Sequence, residues 1–318
     1  MIHLITGGAG FIGCHLVASL VARGDDVIVV DNLSRGSLSY LSASIATGRC
    51  RFAPADCAQP TPFRDAVTGL LEGHRLDAIW HMAANSDIPA GVADPQIDLR
   101  DTFMSSFNAL LLMRELDVPA FHFASSSAIY GDWGEHEIAE ESAPYRPISN
   151  YGAMKLASEA QVSATLEGTG RKASVFRFPN VVGAPATHGV IFDFIAKLRT
   201  DPSRLDVLGD GTQQKSYMHV QDLVAAMHFV AERAPEKVAI YNIGPVDDGV
   251  TVRFIAEHVR DTVAPAAAIV YGNGDRGWVG DVPRFRYSVA RLTALGWQPA
   301  MSSQDAVRTA VRNIVDGA

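Results

Sequence analysis

Cysteine is scarce in this chain, and Cys14, Cys50 and Cys57 show no paired spacing. That speaks against a disulfide framework or a thiolate metal cluster and fits free thiols in a reducing cytoplasm. Histidine is commoner, at ten residues, but no two stand four apart as H-x-x-x-H, so no metal is expected. Basic residues are outnumbered: 27 Lys and Arg stand against 35 Asp and Glu, a formal net charge of -8. A surface of that sign does not draw nucleic acid, and an anionic ligand has to be held by local donors. No apolar run approaches the roughly 20 residues that span a bilayer. No charged leader precedes an apolar segment, so a cytoplasmic protein without a membrane or nucleic-acid partner is expected. Low-complexity linkers and internal repeats are lacking as well. What remains is 318 residues with 47% hydrophobic content, enough for one large or two small domains.

The most telling segment is the first. Apolar residues Ile2 to Ile5 run into Thr6-Gly7-Gly8-Ala9-Gly10-Phe11-Ile12-Gly13, and a helical pattern follows at once. A strand, a glycine turn and a helix N-terminus make a phosphate site, because the helix directs free N–H groups and its positive dipole end at an anion. Gly7 permits the tight turn, Gly10 lets backbone approach a pyrophosphate, and Gly13 lets the helix lie close on the strand. A second apolar run, Val27 to Val30, ends at Asp31. A carboxylate there accepts hydrogen bonds from ribose hydroxyls and repels a 2′-phosphate, which favours NAD over NADP. Arg35, close by in sequence, is a cation that a 2′-phosphate could use.

Further strands are expected at Arg51–Asp56, Leu76–Ala84, Phe121–Ala124 and Ala173–Phe178, with helices at Leu99–Leu116 and Tyr151–Thr165. That alternation predicts an α/β fold, a Rossmann-type doubly wound parallel sheet. Beyond Asn180 the rhythm changes, with more Gly and Pro and isolated helices such as Val190–Leu198, while Ala239–Gly244 reads as one more core strand. The expected division is a dinucleotide-binding domain over 1–180 plus about 219–249. A smaller, discontinuous substrate-binding lobe would take 181–218 and 250–318.

The chemistry centres on Tyr151-Gly152-Ala153-Met154-Lys155. Four residues apart on a helix, Tyr151 and Lys155 share a face. Free tyrosine, with a pKa near 10, is a poor base at neutral pH. A neighbouring ammonium, together with the positive nicotinamide of NAD, is expected to favour the phenolate. Ser126, just past a strand's end, could hydrogen-bond the same substrate oxygen.

With Ser125-Ser126-Ser127-Ala128-Ile129-Tyr130-Gly131 and Asp31-Asn32-Leu33-Ser34, these motifs resemble the extended short-chain dehydrogenase/reductase family. Within it they are most similar to nucleotide-sugar epimerases of the UDP-galactose 4-epimerase type. The likeness covers almost the whole chain, through Arg177-Phe178-Pro179-Asn180, Gly209-Asp210-Gly211-Thr212-Gln213, His219-Val220-Gln221-Asp222 and Gly280-Asp281. It implies Tyr151 as acid/base, Lys155 as its tuning partner on the nicotinamide ribose, and Ser126 on the sugar 4-oxygen. It implies cofactor contacts from Phe11, Ile12, Asn32, Asp56, Ala83 and Ala84. Asn180, Lys215 and Arg276 would bind the substrate. The chain departs from the pattern where Thr102 replaces an asparagine and Lys215 an arginine, and where Arg276 stands five residues before Asp281. The implied activity is NAD-dependent inversion of C4 of a UDP-hexose through a transient 4-keto sugar. The same resemblance admits a UDP-N-acetylglucosamine or UDP-glucuronate epimerase or a 4,6-dehydratase, and a non-catalytic NAD-binding regulator is a further alternative. Dehydratase relatives carry Asp-Glu directly after the catalytic residue, where this chain has Ser127-Ala128. The apolar surface of 99–116 and 151–165 exceeds what one sheet face needs, and relatives pair such helices, so a homodimer is expected.

Overall fold

The apolar runs read as strands assemble into one seven-stranded sheet. In chain order they are β1 (Ile2–Thr6), β2 (Asp26–Asp31), β3 (Cys50–Pro54), β4 (Ala78–His81), β5 (Ala120–Ala124), β6 (Lys172–Arg177) and β7 (Val238–Asn242). Their spatial order is β7-β6-β5-β4-β1-β2-β3, and every ladder from β3 to β6 is parallel. This is the doubly wound sheet the sequence predicts. The computed structural model describes residues 1–134, 136–275, 282 and 284–317.

β2 is apolar at consecutive positions because both faces of the sheet are covered, and Val27, Ile28, Val29 and Val30 are all fully buried. On one face Leu4, Ile28 and Val30 pack in a cluster with Phe63 and Val67 of α2 (Pro60–Leu71). Leu110 and Met113 of α3 (Ser105–Glu115) and Val162 of α4 (Asn150–Leu166) join the same cluster. Each such side chain contributes about 1.5–3 kcal/mol on burial. The chain moves outward from β1 through β2 to β3, then returns to place β4 on the other side of β1 (His3 opposite Ala78). The loops after β1 and β4 therefore part at the carboxyl edge, where open α/β sheets bind ligands.

One element differs from expectation. The helix anticipated from Leu99 is regular only from Ser105; Leu99–Met104 forms a wider, π-type turn. Asp98, Thr102, Ser105 and Ser106 are all buried there. Ser105 Oγ donates to Asp101 O at 2.6 Å and Ser106 Oγ to Thr102 O at 2.7 Å. Hydroxyls on those carbonyls compete with the regular ladder and widen the turn. Toward solvent, Leu99, Phe103, Phe107 and Leu111 recur four apart, with Leu99 and Leu111 exposed and the two phenyl rings stacked at 6.3 Å.

The chain divides into two compact units. The sheet belongs to the first, Met1–Ile129, Pro147–Arg177 and Met227–Tyr241; the second comprises Tyr130–Arg146, Phe178–Ala226 and Asn242–Ala318. The second has its own core: Ile191 and Phe194 of α5 (Val190–Thr200), Ile255 and Val259 of α6 (Val252–Val263), and Val307 and Val311 of α7 (Ser303–Asp316). The stretches 181–218 and 250–318 lie inside it; against the expected division it also takes Tyr130–Arg146, 178–180, 219–226 and 242–249, so that of the stretch 219–249 only Met227–Tyr241 stays with the sheet. Long-range polar contacts hold Tyr130–Arg146: Tyr130 Oη donates to Asn242 Oδ1 at 2.7 Å, and Asn242 N–H donates to Glu140 Oε1 at 2.8 Å. Among the described residues no helix is long and apolar enough to cross a membrane.

Candidate active site

The glycine turn sits at the carboxyl end of β1. Gly7 takes a φ of +68, and a Cβ there would lie 2.7 Å from the backbone nitrogen of Ala83 in the loop after β4. A Cβ on Gly13 would lie 2.1 Å from Gly7 O, so α1 (Phe11–Ala22) can approach the turn only with glycine at that place. Gly10 is the N-cap of α1 and no side chain caps it. Cys14 N–H, bonded to Gly10 O at 2.9 Å, starts the helical ladder. The amides of Phe11, Ile12 and Gly13 precede it in the first turn, where N–H groups have no helical acceptor and suit an anion.

Asp31 closes β2 buried, with Oδ2 accepting from Ala9 N–H at 3.0 Å and Oδ1 from Leu33 N–H at 2.8 Å. Burial raises its pKa above the ordinary 3.8, and the two backbone hydrogen bonds pull the other way. The side chain thus ties the glycine turn to the second strand, and each oxygen keeps a further lone pair for a ribose hydroxyl. Asn32 is exposed and accepts from Ser34 N–H at 3.0 Å, while Asp56 accepts from Ala58 N–H at 2.8 Å just past β3. Arg35 is engaged with Asp87 in an ion pair. An uncapped helix start, a turn without Cβ atoms and a carboxylate at the second strand fit a dinucleotide.

Tyr151, Lys155 and Ser126 come together in the first unit. Ser149 caps α4 by accepting from Gly152 N–H at 3.1 Å, which fixes the turn carrying Tyr151. Ser126 Oγ accepts from Ala128 N–H at 3.1 Å, and its side chain is near enough to Tyr151 to oppose the rise in the phenol's pKa. Lys155 is buried, donates to Ala124 O at 2.6 Å, and lies 5.7 Å from the centroid of the Tyr151 ring. Ser125 cannot take the place of Ser126, because its Oγ donates to the buried Glu159 carboxylate.

The expected lowering of the Tyr151 pKa is not produced by the chain's own groups. Burial pushes the phenol up to about 12; the Ser126 hydrogen bond opposes this and the Asp98 charge adds to it. Burial likewise pulls Lys155 down to about 7, against the attraction of Glu159 and Asp98. Lys155 is not among the groups that offset the burial of Tyr151.

The residues assigned to substrate lie in the second unit. Asn180 is exposed on Asn180–Val182, which pairs in parallel with Tyr217–His219. Lys215 lies on Gln214–Lys215, antiparallel to Val250–Thr251. Arg276 is outside the described residues. A cleft of about 500 Å³ lined by Arg75, Asp77, Asp117 and Arg171 opens at the opposite edge of the sheet, where Asp117 pairs with both arginines.

Sequence reasoning missed the polar groups behind the pair. Glu159 continues the Tyr151–Lys155 face of α4 by one more turn and accepts from Arg177 Nε at 3.0 Å and Nη2 at 2.6 Å. Asp98 accepts from Asn85 Nδ2 at 2.9 Å and Thr102 Oγ1 at 3.3 Å. Polar residues at 98, 102, 105 and 106, on the side of the segment that is buried, were the available signal.

The model of the NAD dependent epimerase/dehydratase family matches residues 3–244. The UDP-glucose 4-epimerase of Lactobacillus helveticus is 27% identical over 324 residues, covering 96% of this chain and 94% of that protein. The crystal structure of Thermus thermophilus UDP-glucose 4-epimerase in complex with NAD superposes with a TM-score of 0.85 at 30% identity, covering 100% of both chains. Thermotoga maritima UDP-glucose 4-epimerase with UDP-glucose gives 0.87 at 27% identity, covering 100% of this chain and 99% of the other. A glycine turn on a parallel sheet, a tyrosine and lysine on one helix face and a match over most of the length converge: this chain belongs to the NAD-dependent epimerase/dehydratase family.

Proposed function

We propose that this protein is a nucleotide-sugar 4-epimerase that inverts C4 of a UDP-hexose of the glucose/galactose type. The observation that carries this reading is the meeting of Ser126, Tyr151 and Lys155 in the unit that holds the glycine turn. Support for the substrate class comes from the relatives named above. When bound, NAD supplies the hydride acceptor and donor for C4, and its positive nicotinamide favours the Tyr151 phenolate. Tyr151 takes the proton of the sugar 4-hydroxyl and returns it to the same oxygen after C4 has changed configuration, so nothing is consumed. Ser126 holds that oxygen by hydrogen bonding, and Lys155 contributes positive charge beside the phenol. On the family resemblance, Asn180, Lys215 and Arg276 hold the diphosphate while the hexose turns.

The dehydratase reading needs a further acid/base pair after Ser126. Ser127 and Ala128 cannot serve, and Ala128 contributes only its N–H to Ser126. Tyr151→Phe keeps the ring and removes the acid/base. The variant is expected to retain NAD, measured as nucleotide released on denaturation, and to lose epimerisation by at least about 10²-fold. Turnover at the original rate with NAD bound would remove Tyr151 from this role.

A further inference from the structure

Behind the Tyr151–Lys155 pair lies a carboxyl group to which the reaction as described assigns no part. Asp98 is fully buried, at the junction of the short helix Pro95–Asp98 and the wide turn Leu99–Met104. Its Oδ1 accepts from Asn85 Nδ2 at 2.9 Å and from Thr102 Oγ1 at 3.3 Å. Its Oδ2 has no hydrogen-bond partner among the described residues. A buried carboxylate oxygen without a donor is costly, and an amide at this place would keep an acceptor for Asn85 and Thr102 without the charge.

The surroundings are built around this side chain. A Cβ on Gly91 would fall 1.8 Å from Asp98 Oδ2, so the carboxyl occupies the space a side chain at 91 would take. Gly91 O in turn accepts from Asn150 Nδ2 at 2.8 Å, and Asn150 is the residue before Tyr151. Thr102 Oγ1 also accepts from Asn85 N–H at 3.2 Å, so the loop after β4 is anchored at both the main chain and the side chain of Asn85. One carboxyl thus gathers the loop that follows β4, the wide turn and the start of α4.

Resting on the reading of Tyr151 and Lys155 as the acid–base pair, we propose that Asp98 is a positioning residue for that pair, acting through its negative charge and through Asn85, Gly91 and Thr102. Its charge raises both the Tyr151 phenol and the Lys155 ammonium. The other charged or titratable groups in play are Asp101, which acts on Asp98, and Glu159 and His81, which interact with Lys155. The effect on the pair is two-sided. The charge works against the burial of the Lys155 ammonium and favours the proton on Tyr151, an effect that positive charge entering the site would oppose.

The test is a tyrosinate absorbance titration of the NAD-loaded protein toward alkaline pH, where Asp98 is ionised. Subtracting the matching Tyr151→Phe curve isolates Tyr151 from the other tyrosines of the eight. Asp98→Asn removes the charge and keeps the acceptor for Asn85 and Thr102; its Tyr151 midpoint is expected to fall by roughly 0.5–1 pH unit. Asp98→Ser, smaller and neutral, is expected to do the same and serves if the amide does not fit beside Gly91. Thr102→Val keeps the charge and removes one donor, and should leave the midpoint in place. Coincident midpoints for the neutral variants and the unmodified protein, or an equal shift in Thr102→Val, would overturn the proposal. The readout needs no sugar. A shift in a protein that does not epimerise supports the role of Asp98 and counts against the 4-epimerase reading, and epimerisation without a shift does the reverse.

Discussion

Glu159 shows how much of the candidate site depends on residues that touch no substrate. Its carboxylate takes Arg177 Nε and Nη2 at 3.0 and 2.6 Å and the Ser125 hydroxyl, all in the interior. Glu159 therefore commits Ser125 and leaves Ser126 to Tyr151. Position in the chain points to Ser126, but the hydrogen bond that occupies Ser125 is invisible without its partner. Truncation by Glu159→Ala removes the carboxylate from Arg177, whose side chain is only 2% exposed. Breaking a buried ion pair costs about 3–5 kcal/mol, and urea unfolding should show a loss of that size. A change below about 1 kcal/mol, the scale of a surface pair, would contradict this account. The spacing of Tyr151 and Lys155 is legible in the sequence, but the desolvation that pushes the phenol up and the ammonium down before any cofactor is bound is read only from burial.

At the scale of elements, strands and helices were legible because they are uniform. Val27 to Val30 reads as a strand covered on both faces, and the glycine spacing at 7, 10 and 13 suits a turn entering a helix. The wide turn at Leu99–Met104 was not legible. Apolar periodicity runs straight through it, and the hydroxyls that widen it act on carbonyls of their own segment. The same segment carries the outward stripe Leu99, Phe103, Phe107 and Leu111. An apolar row along one helical face is a surface suited to isologous contact between two copies. A homodimer is the expected state, and light scattering at micromolar concentration checks it; a monomer mass would count against the stripe as a dimer seam.

Over the whole molecule, the switch beyond Asn180 from regular alternation to glycine- and proline-rich segments marked where a second unit takes over. The placing of Tyr130–Arg146 could not be read, because contacts such as Tyr130 to Asn242 join residues far apart in sequence. A further whole-molecule property follows from buried histidines. Desolvation pulls His81 and His122 down to about 3 and His228 to about 4, from an ordinary 6.5. These rings stay neutral in the fold, so below about pH 6.5 the unfolded chain takes up protons first and stability falls with pH, levelling only near pH 3–4. Asp31, Asp98 and Glu140, whose pKa values are raised by burial, work in the opposite sense at the acid end. The melting temperature is accordingly expected to drop between neutral pH and about pH 5; a flat or rising profile there would contradict the burial of these rings.

The central claim is the chemistry at C4. The most direct measurement incubates the purified protein with UDP-glucose, UDP-galactose, UDP-N-acetylglucosamine and UDP-glucuronate in turn and resolves the products by NMR. Interconversion of UDP-glucose and UDP-galactose is expected, with the sugar otherwise intact and no net consumption of NAD. A stable 4-keto-6-deoxy sugar, or no C4 inversion of either hexose, would contradict it.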